Sequence, residues 1–339
     1  MLDRRAFLGL LPALLSLPAA AQGLIFRPSM PGVDLAYLKY ALAGDQHTPG
    51  APLYVTLPDA PEQAFAVYRP LNVSTAKLVV FSHGVLTEPA VYGALLTQWA
   101  SHGFITIAPV YDDTVLVRGL EVRQDDLYGA STWDVASLFD IEEAEKRARI
   151  CSRIIDEVDA LSALVGLEID FDNPIVVGHD LGAYTAQMLL GAKAGEGDAA
   201  PSKGHHDNRF YGGVLISSQG QGVMGLSNTS WLGVTKPMMV VNGSRQADFT
   251  KLSLDRRWDP FELSAPGHKY KVEIADGEHR LPTMRPDPSR RAPGAFDDLA
   301  AVTTLFLQTY GRLDRSALEM LHAGGMEEAA DGRVAIETR

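Results

Sequence analysis

Cysteine is nearly missing from this sequence: Cys151 is the one thiol in 339 residues, so no intramolecular disulfide is available and covalent stapling contributes nothing to the fold. Basic residues are in deficit as well. Lys and Arg number 30 against 42 Asp and Glu, a formal charge of −12, which argues against nucleic acid or an anionic membrane surface as the main partner, because either needs a clustered basic face. A glycine-rich phosphate loop is also lacking. Gly220 and Gly222 follow a strand-like run without the rest of a dinucleotide fingerprint, and no cofactor is expected. The apolar run at residues 7–21 is broken by Pro12 and Pro18 and is too short to span a bilayer. What remains is an ordinary globular composition, 46% hydrophobic and 21% charged, long enough to bury the core of one large α/β domain and suited to a small-molecule substrate.

The first residues read as an address. Arg4 and Arg5 precede the apolar run, and Ala19, Ala20 and Ala21 offer an A-x-A cleavage site. The order D-R-R-A-F-L resembles the twin-arginine export signal, so residues 1–21 are expected to be removed and the mature chain, periplasmic or secreted, to begin near Gln22 without stable membrane insertion. A membrane-tethering N-terminal helix is the alternative.

Beyond residue 22 a single domain is expected. Strand-like runs at 52–57 and 64–69 suggest an early antiparallel hairpin, and those at 77–82, 104–109, 174–178, 212–217, 237–242 and 271–275 read as buried parallel strands. Helical stretches separate them, so the fold class is α/β, a doubly wound, mostly parallel sheet with helices on both faces. Cys151 falls in a helical run at 147–165 as a small buried side chain. Residues 191–208 read as a surface loop and the tail after Gly324 as loosely held. The segment 112–144, with Tyr128, Trp133 and Phe139, is too long for a simple connection and is a candidate wall over a pocket.

The run P-I-V-V-G-H-D-L-G (174–182) carries the chemistry. A buried strand passing through G-x-D-x-G into a helix makes a nucleophile elbow, in which Gly178 and Gly182 remove clashing side chains and Asp180 is presented at the carboxyl edge of the sheet. A plain strand-to-helix turn with an N-capping aspartate is the alternative. Three other segments fall in a matching order. Ser82-His83-Gly84-Val85 follows a strand, and the amides of Val85 and Leu181 are candidates to hold developing negative charge. His279 follows the last parallel strand as candidate base, and Asp248, in N-G-S-R-Q-A-D-F (242–249), is the candidate acid.

From about residue 52 to 311 the chain resembles an α/β hydrolase. V-F-S-H-G (80–84), W-A-S-H-G-F (99–104), the elbow segment 176–186 and P-M-M-V-V-N-G-S-R (237–245) resemble the branch of platelet-activating-factor acetylhydrolase-like, chlorophyllase-like and dienelactone-hydrolase-like esterases. Those esterases carry serine at the elbow and an acid directly after G-S-R, where this chain has Asp180 and Gln246. The elbow G-H-D-x-G instead resembles haloalkane and fluoroacetate dehalogenases and epoxide hydrolases. That resemblance implies attack by the carboxylate on an sp³ carbon and hydrolysis of the ester by water activated by histidine. It is local: H-G-x-P is absent, no tryptophan follows Asp180, and Tyr92, Tyr111 and Tyr128 are candidates only for polarising an epoxide.

Three readings stay open at this point. They are an Asp-nucleophile hydrolase of an epoxide or carbon–halogen bond, an ester or lactone hydrolase with Asp180 as base or acyl acceptor, and an inactive ligand-binding relative. His83 and His179 read as packing or supporting residues, His268 as solvent-facing, and Trp99 and Trp231 as core or rim. His205-His206-Asp207 lacks the spacing of a metal ligand set, so no metal is expected.

Overall fold

The protein is represented by a computed structural model that describes residues 33–112, 140–195, 200–246, 252–286, 293–322 and 324–339. The expected leader lies outside these residues, as do positions 113–139 of the segment expected over the pocket, among them Tyr128, Trp133 and Phe139.

Strands in chain order are β1 (Leu53–Leu57), β2 (Ala60–Tyr68), β3 (Thr75–Ser82), β4 (Phe104–Pro109), β5 (Glu168–His179), β6 (Gly212–Ile216), β7 (Met238–Gly243), β8 (Lys269–Ile274) and β9 (Val334–Thr338). They form one sheet in the order β1-β2-β4-β3-β5-β6-β7-β8-β9. The pairs from β4 through β8 are parallel, and β1, β2 and β9 run antiparallel to their neighbours. The α-helices among the described residues are α1 (Leu35–Ala41), α2 (Gly93–Ser101), α3 (Ile141–Asp156), α4 (Val158–Val165), α5 (Leu181–Leu189), α6 (Asp259–Leu263), α7 (Ala295–Phe306), α8 (Arg315–His322) and α9 (Gly325–Ala329).

Strand periodicity divides the interior into two cores. In β3, Leu78 and Val80 face the core shared with α3, α4 and α5, while Val79 and Phe81 face the one shared with α2 and α7. The same alternation holds for Val176 against Ile175 and Val177 in β5, and for Met238 and Val240 against Met239 and Val241 in β7. Strands buried on both faces read as continuous apolar runs, which is why a parallel sheet was legible from them. At about 1.5–3 kcal/mol per fully buried aliphatic or aromatic side chain, this central block supplies much of the folding drive and a rigid base for its carboxyl edge.

Three expectations need correction. The tail after Gly324 is not loose: α9 and β9 follow, Met326, Ala330 and Val334 are buried, and β9 pairs with β8 from Ile274↔Val334 to Tyr270↔Thr338. The tail is captured because β8 would otherwise leave its backbone groups unpaired at the sheet edge. The run at 147–165 is two helices, divided at Glu157. Within 191–208, Ala192, Ala194 and Asp207 are buried, with Ala194 bridging to Lys203, so this stretch folds back on the body instead of lying wholly on the surface.

Candidate active site

The elbow is built by close packing. A Cβ on Gly178 would lie 2.0 Å from the carbonyl oxygen of Gly182, and one on Gly182 would lie 1.8 Å from that of Ser82. Only glycine lets β5, α5 and the loop after β3 approach so closely. Asp180 stands between them at φ 53°, ψ −124°, a conformation that costs a residue with a side chain about 1–3 kcal/mol. Its backbone N–H donates to Ile216 O at 3.0 Å, tying the elbow to the end of β6.

Each oxygen of the Asp180 carboxylate has its own surroundings. Oδ2 accepts from the Val85 backbone N–H at 3.3 Å. Oδ1 accepts from Gln219 Nε2 at 3.2 Å and faces His279 Nε2 at 3.9 Å. Leu181, the other residue expected to contribute an amide, opens α5 and is buried. Gln219 was not anticipated. Its place just beyond β6, at the carboxyl edge where such sheets bind ligands, was the available signal. It is fully buried, and its backbone carbonyl accepts from Nε2 of Gln187, whose side-chain oxygen accepts from Trp231 Nε1.

A hydrogen-bond chain links the loop after β3 to the histidine. His179 Nε2 lies 2.9 Å from the backbone oxygen of His279. A carbonyl only accepts, so His179 carries its proton on Nε2 and its Nδ1 accepts from the Tyr92 hydroxyl at 2.9 Å. The Tyr92 oxygen in turn accepts from the Gly84 N–H at 3.1 Å. His83 Nδ1 and Thr87 Oγ1 both donate to Gly84 O, and the buried Arg147 donates to His83 O while stacking on Tyr111. His83 and His179 are therefore supports of the site. Tyr92 is committed to this chain and Tyr111 to Ser82 and Cys151, so two of the three hydroxyls that are candidates for polarising an epoxide have protein partners; the third, Tyr128, lies outside the described residues.

His279 is 4% exposed, and burial together with the nearby Arg257 cation pushes its pKa down to about 3. Its Nδ1 is met by Gln246 Nε2 at 3.0 Å. The loops after β7 and β8 are brought together here, with Arg245 N–H donating to Gly277 O at 2.9 Å. Asp248, expected as the acid, lies outside the described residues. The glutamine directly after Gly243-Ser244-Arg245 thus touches the ring nitrogen itself.

Outside this site, Cys151 is buried and pushed up to about 12 by burial. Trp99 and Trp231 are core residues bonded to Thr303 and Gln187, and the exposed His268 meets Tyr310. His205 bonds Ser152 and Asp207 pairs with Arg209; no cluster of metal-ligating side chains occurs among the described residues.

A Chlorophyllase family model matches residues 27–126, a span that takes in β1 to β4 and the loop carrying Val85. No curated protein matches the chain. The sheet, its helices and this match are those of an α/β fold consistent with an α/β-hydrolase-type enzyme.

Proposed function

We propose that the chain is a hydrolase that attacks an sp³ carbon, of an epoxide or a carbon–halogen bond, with the carboxylate of Asp180, and then hydrolyses the resulting ester with water. The observation that carries this reading is the 3.3 Å contact from the Val85 amide to Asp180 Oδ2. The donor that would receive a substrate carbonyl in an esterase is occupied by the protein's own carboxylate. In the ester intermediate that oxygen is the carbonyl oxygen, and it becomes the oxyanion when water adds to Cγ, so the donor is already in place for the second step. Oδ1, on the His279 side, is the attacking oxygen, and a carboxylate, unlike a hydroxyl, needs no base to attack. A serine at this position would form an ether that water could not cleave.

Ester or lactone hydrolysis, with Asp180 as a base for water, is the second reading and is favoured by the Chlorophyllase match over residues 27–126. One experiment separates the two. A single turnover in heavy-oxygen water, run on a panel of epoxides, haloalkanes and aryl esters, is expected to label the Asp180 carboxylate. His279→Gln should accumulate an adduct on the Asp180 peptide and Asp180→Asn should form none. Label delivered straight to product, with no adduct in His279→Gln, would sink the nucleophile assignment and leave the ester reading.

A further inference from the structure

A carboxylate and an amide beside the same imidazole nitrogen have opposite effects on the ring. The carboxylate accepts from Nδ1–H and leaves a lone pair on Nε2, whereas an amide NH₂ can only donate. Which end of the Gln246 amide meets His279 is set by its second neighbour. Gln246 Oε1 lies 3.4 Å from the Gly243 N–H, while Gln246 Nε2 lies 3.0 Å from His279 Nδ1. Turned by 180°, the amide would place its NH₂ against the Gly243 N–H, two donors facing each other. The orientation that serves both neighbours makes Nδ1 an acceptor.

We propose that Gln246 is a positioning residue that holds His279 with its proton on Nε2, so that the ring rests as a donor toward Asp180 and breakdown of the covalent ester waits for the amide to turn. This rests on the reading of Asp180 as the nucleophile. Burial and the Arg257 cation disfavour the charged ring.

The two steps are affected differently. In the first, Oδ1 bonds to the substrate carbon and the leaving group departs with the bonding pair, as halide or as an alkoxide that takes a proton from water. The N–H groups of Gln219 and His279, 3.2 and 3.9 Å from Oδ1, do not obstruct this. In the second, water bonds to Cγ and must pass a proton to Nε2, which already holds one. That proton has to move through solvent to Nδ1 while the Gln246 amide turns so that Oε1 accepts it, giving up the Gly243 contact. Nε2 then takes the water proton, the oxyanion forms at Oδ2 beside Val85 N–H, the Cγ–O(alkyl) bond breaks, and the imidazolium protonates the departing alkoxide. Replacing the acid of a serine-protease triad by its amide costs on the order of 10⁴ in turnover through the same tautomer effect. The ester is therefore the species that accumulates during turnover.

The test reads the tautomer and the kinetics separately. In protein labelled with ¹⁵N-histidine, the His279 signal, identified by its loss in His279→Gln, is expected to report Nε2–H in the wild type and Nδ1–H in Gln246→Glu. Rapid-quench mass spectrometry with styrene oxide and 1-bromobutane as probes should show a burst of Asp180 adduct in the wild type, and adduct breakdown in Gln246→Glu faster by about 10²–10⁴. Gln246→Ala, which needs no buried charge, should give a mixed tautomer and intermediate breakdown, and serves if the glutamate variant does not fold. Nδ1–H in the wild type would overturn the proposal. If that proton is lost in Asp248→Asn, the acid is Asp248. Breakdown no faster in folded Gln246→Glu overturns it equally. Absence of adduct from both probes refutes the nucleophile reading, while the tautomer measurement still decides the role of Gln246.

Discussion

Tyr92→Phe removes one oxygen atom and breaks the chain that joins the loop after β3 to His279. In the wild type that oxygen accepts from the Gly84 N–H at 3.1 Å and donates to His179 Nδ1 at 2.9 Å. Tyr92 is fully buried, so both partners are left without water to replace it. Each orphaned buried group costs about 1–3 kcal/mol, and the phenyl ring fills nearly the same volume, so the loss is expected near 3 kcal/mol with little cavity term. At an unfolding entropy of about 2.1 cal/mol/K per residue, 339 residues give about 1.4 °C per kcal/mol, so the melting temperature should fall by roughly 4 °C, measured by circular dichroism. The control is Tyr68→Phe. Its hydroxyl makes a single contact, to Pro89 O at 3.3 Å, and its removal should cost only about 1 kcal/mol. Because Val85 adjoins the unanchored Gly84, Tyr92→Phe should also slow adduct formation on Asp180. A loss below about 1 kcal/mol, or one no larger than the control's, would refute the proton assignment of the chain.

The depressed pKa of His279, about 3 in the fold, makes stability depend on pH. Above about 6.5 both folded and unfolded rings are neutral; as pH falls, the unfolded ring takes up a proton that the folded one refuses, so stability is lost between roughly 6.5 and 3. At pH 5 this amounts to about 2 kcal/mol, at 1.36 kcal/mol per unit, and urea titrations of His279→Gln should lack it. Asp298→Ala should destabilise by about 2–4 kcal/mol and expose the C-terminal strand to limited proteolysis, since Asp298 is buried, accepts from Tyr37 at 2.7 Å and pairs with Arg333 at 3.1 Å. For export, replacing Arg4 and Arg5 together by Lys should leave the protein in the cytoplasmic fraction; unchanged export would remove the twin-arginine reading.

The elbow could be read from the sequence because the buried run 174–177 and its flanking glycines are local signals: burial on both faces demands continuous hydrophobicity, and close approach demands the missing side chains. The residue at His279 Nδ1 could not be read in the same way. Gln246 and Asp248 are two positions apart; the contact of the loops after β7 and β8 delivers Gln246 to the ring, while Asp248 lies outside the described residues. Gln219 was hidden for a related reason, since its reach to Asp180 spans 39 positions in sequence. β9 escaped notice because Val-Ala-Ile-Glu-Thr buries only Val334; its strand character comes from the open edge of β8 rather than from its own side chains.

The φ of 53° at Asp180 carries an implication for substitution at this position. Glycine occupies that region of backbone space without steric cost, so Asp180→Gly would relieve about 1–3 kcal/mol of local strain while leaving the Val85 N–H and the Gln219 amide without their acceptor. A carboxylate held there behaves like a loaded spring with a catch: the backbone strain is the spring, and the Val85 N–H and the Gln219 amide that grip its two oxygens are the catch.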